Sequence, residues 1–520
     1  MNVRTDTTKN RHDETDVGFS PTTNETTRGG SYFVAGAVYL AALVLPLSFT
    51  GGAVATSAIA RDIGGSPAAL GWITNAFMLS FGSLLMTAGM LADTYGRKRV
   101  FTFGVALFVL VSFGLCAISD LVWLDVLRAV QGVGAAAAMA GGAAALAQEF
   151  EGKERAHAFS LLGTTFGVGL AFGPVVAGML ANHYGWRAIF LSSAFIGTVA
   201  LVTGIPRMRE SRDPNATGLD WMGGITFTGM LALLTWAIMQ APQSGWSNPA
   251  VIGLMAGAAV LLAFFIALEL RTDRPMLDLS LFRYPRFVGV QILPIATCYC
   301  FVVLLVLLPM QFIGIDGYGE IKAGLMMVAL SAPLLVVPSL ATLLSRWLPA
   351  ALLCSVGLLI AAAGLMLLSN VVSQHDLRAV VASMFLIGLG TGLPWGLMDG
   401  LSISVVPTER AGMATGIFST TRVAGEGLGI AIVGAVLATL IQHHLAGASG
   451  GMPHVATAAP ALAVGDMAKA LDLLPRTSPT TLMIAYMEAF RTLLHVLAAI
   501  TIAAAIAVAL LKPSHASKHS

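Results

Sequence analysis

The chain has 520 residues, of which only 11% are Asp, Glu, Lys or Arg while 56% are hydrophobic before its 56 glycines are counted. Ordinary globular proteins carry about 25% charged residues, so a water-facing surface for a chain of this length cannot be assembled from this composition. A net charge of +2, spread over connecting segments, forms no basic stripe and excludes a nucleic-acid binder. Cys116, Cys298, Cys300 and Cys354 all lie in apolar runs and supply neither a disulfide framework nor a metal spacing.

Residues 1–31 are polar, rich in Thr, Asp, Asn and Gly, and read as a disordered tail. Apolar runs of helix-spanning length then recur to the C-terminus. The predicted spans lie near 33–57, 72–91, 100–119, 122–147, 158–181, 186–206, 221–240 and 249–269. After the polar connection Arg271 to Arg286, six more follow near 287–313, 323–345, 350–369, 379–406, 411–441 and 486–511. The fold class is therefore all-α integral membrane with fourteen transmembrane helices. An even count returns both termini to one side. The segments on that side hold more than three times the Lys and Arg of the opposite loops, which predicts cytoplasmic termini and a plasma or inner membrane location.

The only long outer segment, 442–485, carries His443-His444 and then a weakly amphipathic stretch over 464–474. It reads as a solvated loop with a short helix lying at the outer surface. No further ligand accompanies the histidine pair, so neither a metal nor another cofactor is expected.

Between the second and third spans stands Gly89-Met-Leu-Ala-Asp93-Thr-Tyr-Gly96-Arg97-Lys98-Arg99, which places a tight turn, a carboxylate at a helix end and a cluster of cations together. The fourth span contains Leu127-Arg128-Ala-Val-Gln131-Gly132, and the fifth Gly169-Leu-Ala-Phe-Gly173-Pro174-Val-Val-Ala177-Gly178. Pro174 frees the carbonyl of Leu170 and predicts a bend there, while the glycines allow close helix contact. Ordinary bundle packing would account for those glycines equally.

The first of these stretches resembles the cytoplasmic loop signature of the major facilitator superfamily, the second its R-x-x-Q-G element and the third its antiporter motif. Together with the span count, the Leu277 to Arg283 connection and Arg422-Val-Ala-Gly425-Glu426 in the thirteenth span, they resemble the fourteen-helix drug:proton antiporter branch. The resemblance covers about residues 33 to 511. Two departures stand out. The first span has Leu47-Ser48-Phe49-Thr50 where many relatives carry an aspartate, and Leu344-Ser345-Arg346-Trp347 keeps a cation of a second loop signature without its acid.

The resemblance implies two six-helix bundles, residues 32–206 and 287–511, with two inserted helices and their connections in 207–286 at the lipid-facing side and a tail at 512–520. It implies a transporter, not an enzyme, that exports amphipathic small molecules in exchange for protons by alternating access, acting as a monomer in the lipid bilayer. An importer or facilitator on the same fold, or a non-transport receptor or scaffold, are the rival readings. Gly89, Asp93, Gly96 and Arg97 would form a conformational latch reaching toward the other half. Gly169, Gly173, Pro174 and Gly178 would form a hinge.

Ionisable groups inside spans are costly, about 2.5–3.5 kcal/mol each on insertion scales, and mark function. Arg128, Asp399, Arg422 and Glu426 are the proton-coupling candidates. In the superfamily arrangement Arg128 and Asp399 would face a central cavity from opposite halves, with Asp399 near mid-depth. Arg422 and Glu426 are four residues apart and suit an ion pair along one helix face. Trp72, Asn75, Met78, Gln131, Tyr299, Gln311 and Trp395 are candidates to line the substrate cavity.

Overall fold

The computed structural model describes residues 24–65, 67–150, 152–212, 220–272, 275, 277, 279–372, 376–405, 411–449 and 455–510. Most of both expected tails, and Asp278, lie outside the described residues. The first bundle comprises α1 (Asn24–Asp62), α2 (Pro67–Tyr95), α3 (Arg97–Ala117), α4 (Leu121–Glu149), α5 (Gly152–Tyr184) and α6 (Arg187–Thr203). A hairpin of α7 (Trp221–Ser244) and α8 (Pro249–Glu269) follows. The second bundle holds α9 (Pro285–Ile315), α10 (Glu320–Leu344), α11 (Ala350–Val371), α12 (Leu377–Ser404), α13 (Ala411–Ser449) and the terminal α16 (Pro479–Ala509), with short α14 (Val455–Ala463) and α15 (Met467–Leu473) before the last. Thirteen helices are long and apolar enough to cross a bilayer, and α5 makes fourteen when its two segments are taken as one bent span.

Local chemistry sets several boundaries. Asp120, Asp220 and Ser478 each accept a hydrogen bond from the backbone N–H three residues on, which caps α4, α7 and α16. Gly96, at φ 116°, turns the chain straight from α2 into α3. Within α5, Leu161–Leu170 and Phe172–Tyr184 meet at 40°, next to the carbonyl that Pro174 leaves free. Single π turns at Cys298–Val302 and Gln311–Ile315 widen α9.

In the first bundle α1 packs on α5 and α6, α3 on α4 and α6, and α2 on α4; in the second α12 packs on α10 and α11, and α16 on α11 and α13. The halves meet along two seams, α2 against α13 and α5 against α10. One end of the molecule, the loop face, carries the Gly96 turn and the segment after α6; the other, the cap face, carries Arg61, Glu320, α14 and α15.

Three expectations change. The first helix begins at Asn24, inside the stretch assigned to the tail. The expected outer loop is built into the protein: α13 runs through His443 and His444 to Ser449, and α14 is buried along almost its whole length because its Ala- and Leu-rich stretch packs on α13 and α7. The inserted hairpin is asymmetric, with α7 lying against both α2 and α13 while α8 contacts mainly α7 and stays outward.

Candidate functional site

The Gly96 turn is held by its own half. The Arg97 guanidinium is 3.1 Å from Asp93, its backbone N–H donates to the Ser211 carbonyl at 2.8 Å, and Lys98 Nζ donates to the Met208 carbonyl at 2.8 Å. Arg99 lies 3.5 Å from Glu210. Among the described residues the partners of Asp93 and Arg97 all belong to the first bundle or to the segment that follows α6, so the expected reach to the other half is not made in this conformation. Gly96 is favoured by its φ of 116°, whereas the Glu210 carboxylate that a Cβ would meet is the end of a flexible side chain; a Cβ at Gly89 would meet nothing within 4 Å. No close neighbour therefore demands glycine at position 89.

Along α5 the glycines face two directions. A Cβ on Gly169 would be 2.5 Å from Pro46 Cγ and one on Gly173 would strike Thr50, so these two seat α5 on α1. Gly178 faces the other half and abuts the carbonyl of Glu320, while on the facing helix a Cβ at Gly324 would lie 2.9 Å from the Pro174 carbonyl. Toward the loop face this seam loosens: a Cβ at Gly167 would be 4.0 Å from Leu334 O, and one at Gly163 would meet nothing. At the cap face Arg61 Nη2 and Glu320 Oε1 are 2.6 Å apart and join the halves.

Arg128 is fully buried inside the first half. Its Nε donates to the Ile73 carbonyl at 2.8 Å, its Nη1 to Ser48 Oγ at 3.2 Å and to Gln131, and its guanidinium lies 4.5 Å from the centre of the Phe77 ring. Gln131 in turn donates to Ser112 Oγ at 2.7 Å. Helices α1, α2, α3 and α4 thus share one cation, whose charge is met by carbonyl, hydroxyl and amide oxygens and by the ring face. The expectation that Arg128 faces Asp399 across a cavity is corrected: the side chain turns into its own bundle, where Nε and Nη1 are satisfied and Nη2 is buried with no hydrogen-bond partner among the described residues.

Asp399 and Arg422 form an ion pair between α12 and α13, with Arg422 Nη1 at 3.3 and 3.4 Å from the two carboxylate oxygens. The Asp399 side chain is 55% exposed and that of Arg422 17%. The carboxyl is therefore not packed inside the protein. Nor does Arg422 pair along its own helix with Glu426. Glu426 is 7% exposed, and among the described residues its carboxylate has no hydrogen-bond or salt-bridge partner. The cross-helix partner wins because Asp399 presents both oxygens to one guanidinium nitrogen.

The expected cavity residues do not form one lining. Gln131 serves Arg128, and Met78 sits where a Cβ on Gly427 would be 3.1 Å away, inside the α2/α13 seam. Gln311 is buried with its Nε2 directed at Met487 Sδ, and half-buried Trp395 meets Phe301 edge-on at 5.7 Å. Trp72 and Tyr299 are half-buried. Of these residues Asn75 alone lines a hollow near the cap face. Two ionisable residues within spans were missed by the sequence reading. Asp125, one turn before Arg128, has a buried Oδ1 without a partner, and Glu269 accepts from the Leu277 N–H at 3.0 Å at the end of α8. The signal for Asp125 was its i, i+3 spacing from Arg128.

Residues 38–430 match the family model described as Major Facilitator Superfamily. The chain belongs to the Major Facilitator Superfamily. It is a multi-pass membrane transporter of small molecules and not an enzyme. Within the superfamily it is 32% identical over 410 residues to the multidrug resistance protein Stp of Mycobacterium tuberculosis, covering 78% of this chain and 75% of that one. It is also 32% identical to the puromycin resistance protein pur8 of Streptomyces alboniger, over 82% and 87% of the two chains. The tetracenomycin C resistance and export protein of Streptomyces glaucescens is 28% identical over 83% and 80%. The crystal structure of a bacterial homolog of the human lysosomal transporter Spinster, inward-facing and unoccupied, matches with a TM-score of 0.61 at 17% identity over 92% of this chain and 96% of that one. At that identity the likeness speaks for the superfamily fold alone.

Proposed function

We propose that this transporter exports amphipathic small molecules, drugs or metabolites, in exchange for protons, with the loop face in the cytoplasm. The names of its relatives support export of drug-like compounds, and the excess of Lys and Arg on the loop-face segments supports the orientation. Alternating access draws support from the α5/α10 seam, which is tight at Gly178 and loose at Gly163.

The observation that carries the coupling is the sharing of one cation by two acids. Arg422 holds Asp399, and Glu426 lies one helical turn away on the same helix, with no hydrogen bond or salt bridge of its own among the described residues. When Asp399 takes a proton, the guanidinium loses its carboxylate and turns to Glu426; when the proton leaves, the pair reforms. Each exchange re-seats α13 beside α2, because Val423 and Ala424, the residues after Arg422, supply the backbone that fits against Gly82. A proton is thereby tied to a movement between the halves.

Inverted membrane vesicles under a defined pH gradient test this directly. Uptake of a cationic dye or of puromycin is expected while the gradient lasts and is expected to stop when a protonophore collapses it. Uptake that persists unchanged after collapse removes proton exchange, and uptake only in right-side-out vesicles reverses the direction.

A further inference from the structure

At the loop face the inserted hairpin ends on two carboxyl groups. Asp220, half-buried, caps α7 through Oδ1, which accepts from the Gly223 N–H at 2.7 Å. Glu269, the last residue of α8, is 4% exposed, and its Oε2 accepts from the Leu277 N–H at 3.0 Å. The other two oxygens meet over Gly223: a Cβ there would strike Asp220 Oδ2 and lie 2.7 Å from Glu269 Oε1, and the carboxyl groups are within hydrogen-bonding reach of each other. Glu269 Oε1 is sealed from water, and among the described residues no N–H or O–H donates to it.

An acceptor thus faces an acceptor in a buried place, and no cation pairs with Glu269 among the described residues. Inside α7 and α8 no other residue is charged. Asp93 on α2 pairs with Arg97, and on α13 Arg422 holds Asp399 with Glu426 a turn further on. Arg271, Arg283 and Arg286 are exposed, and Asp273 and Arg274 lie outside the described residues. Two anions this close repel, whereas one proton between them makes a charge-assisted hydrogen bond. Water and ions cannot reach Oε1; a proton arriving through half-buried Asp220 can. We propose that Asp220 and Glu269 form a proton-binding site, in which one shared proton locks the hairpin and the Leu277 connection over the loop end of the α2/α13 seam. It holds three pieces at once: the start of α7, the end of α8 and, through Oε2, the backbone of Leu277, whose side chain packs with Met86 of α2, Ile417 of α13, Phe265 and Phe287. Loss of that proton as pH rises leaves two anions side by side, pushes Glu269 away and frees the Leu277 N–H. The lock therefore holds at low pH and slackens at high pH. It goes beyond the export reading and uses neither Asp399 nor the direction of transport.

The test uses the full chain in lipid nanodiscs, without substrate or pH gradient, and follows hydrogen–deuterium exchange of the segment containing Leu277 at about pH 6 and about pH 9. Glu269→Gln places an amide N–H where the proton would be and keeps an acceptor for Leu277, so it is the permanently locked form. Comparing native and variant at one pH removes the intrinsic pH dependence of exchange. Equal protection is expected at the lower pH; at the higher pH the native segment is expected to exchange about tenfold faster than the variant. Asp220→Asn still caps α7 and donates to Glu269, so it gives the same comparison if Glu269→Gln does not fold. Infrared spectra at the lower pH read the proton itself, with a protonated carboxyl band expected in the native chain and missing from either variant. Equal exchange in all three chains at both pH values overturns the lock, and a native spectrum that matches the variants in that region overturns the shared proton.

Discussion

The two seams between the halves taper in opposite directions. The α5/α10 seam closes backbone to backbone at the cap face, through Gly178 and Gly324, and thins to nothing by Gly163. The α2/α13 seam is tight in its middle, where a Cβ on Gly82 would lie 2.5 Å from the backbone of Ala424, and is sealed toward the loop face by Met86, Ile417, Phe265, Leu277 and Phe287. Toward the cap face it hollows out into the cavity under α14. Two halves rocking as rigid bodies about a single axis would open both seams on one face. They do not, because α7, α8 and the connection through Leu281 are wedged against the second seam and fill its loop end. The inserted hairpin thus makes the pair of seams unequal, and the rocking proposed above would be concentrated where no third element intervenes.

The sharpest way to break that comparison is one substitution at both ends of the α5/α10 seam. Gly178→Val drives a side chain into the Glu320 carbonyl; overpacking of this kind costs about 1–3 kcal/mol, enough to shift a two-state balance about five- to a hundredfold away from the cap-closed arrangement. Transport is expected to fall at least tenfold with normal membrane insertion. Gly163→Val, facing open space, is expected to stay within about twofold of the native rate. Equal damage at both sites in vesicle uptake would mean the seam does not taper in use.

The next largest effect is expected at Asp399. Asp399→Asn removes the carboxylate that holds Arg422, so the guanidinium settles on Glu426 and α13 loses its proton-dependent choice. Uptake driven by a pH gradient should vanish, while downhill exchange of preloaded substrate stays measurable. Glu426→Gln leaves the Asp399–Arg422 pair standing and should uncouple less. Concentrative uptake surviving in Asp399→Asn moves the carrier elsewhere, with Asp125 the first place to look, since its Oδ1 is buried and unpaired.

Most of the fold was legible because bilayer thickness imposes one length on every apolar run, and the loop and antiporter stretches carry residue types that a soluble helix has no reason to hold. The site was less legible. Helical spacing put Arg422 beside Glu426, yet no pattern along one chain reveals that Asp399 on the preceding helix comes closer. Arg128 looked like a cavity group because Ser48, Ile73 and Phe77, which surround its guanidinium, come from two other helices. The segment 442–485 was read as solvent-facing from its glycines and histidines, whereas its Ala- and Leu-rich middle, α14, caps the hollow seam.

A smaller effect separates the two glycines of the loop stretch. Gly96→Ala meets both Glu210 and a φ of 116°, a conformation costing a side chain about 1–3 kcal/mol, and should lower the melting temperature and slow transport. Gly89→Ala has open space and a helical backbone and should be neutral or slightly stabilising. Asp93→Asn keeps the turn but loses the charge facing Arg97, so a transport defect there without a change in melting would place the charge's role in another conformation, as the proposed latch requires.

The smallest effect belongs to the Arg61–Glu320 pair, and it decides what closes the cap face. Glu320 touches the first half twice: its carboxylate meets Arg61 at 2.6 Å, and its backbone carbonyl abuts Gly178. The Arg61 side chain is 62% exposed; pairs this open are worth about 0–1 kcal/mol and weaken further in salt. Arg61→Ala should therefore change transport less than about fivefold, and native protein in high salt should behave like the variant. In a double-mutant cycle with Glu320→Gln, the coupling energy should stay below about 1 kcal/mol. The fit of glycine against carbonyl, not the ion pair, then sets the closed seam. Were Arg61→Ala as damaging as Gly178→Val, the order would reverse: charge would close the cap face, and the backbone contact would merely follow.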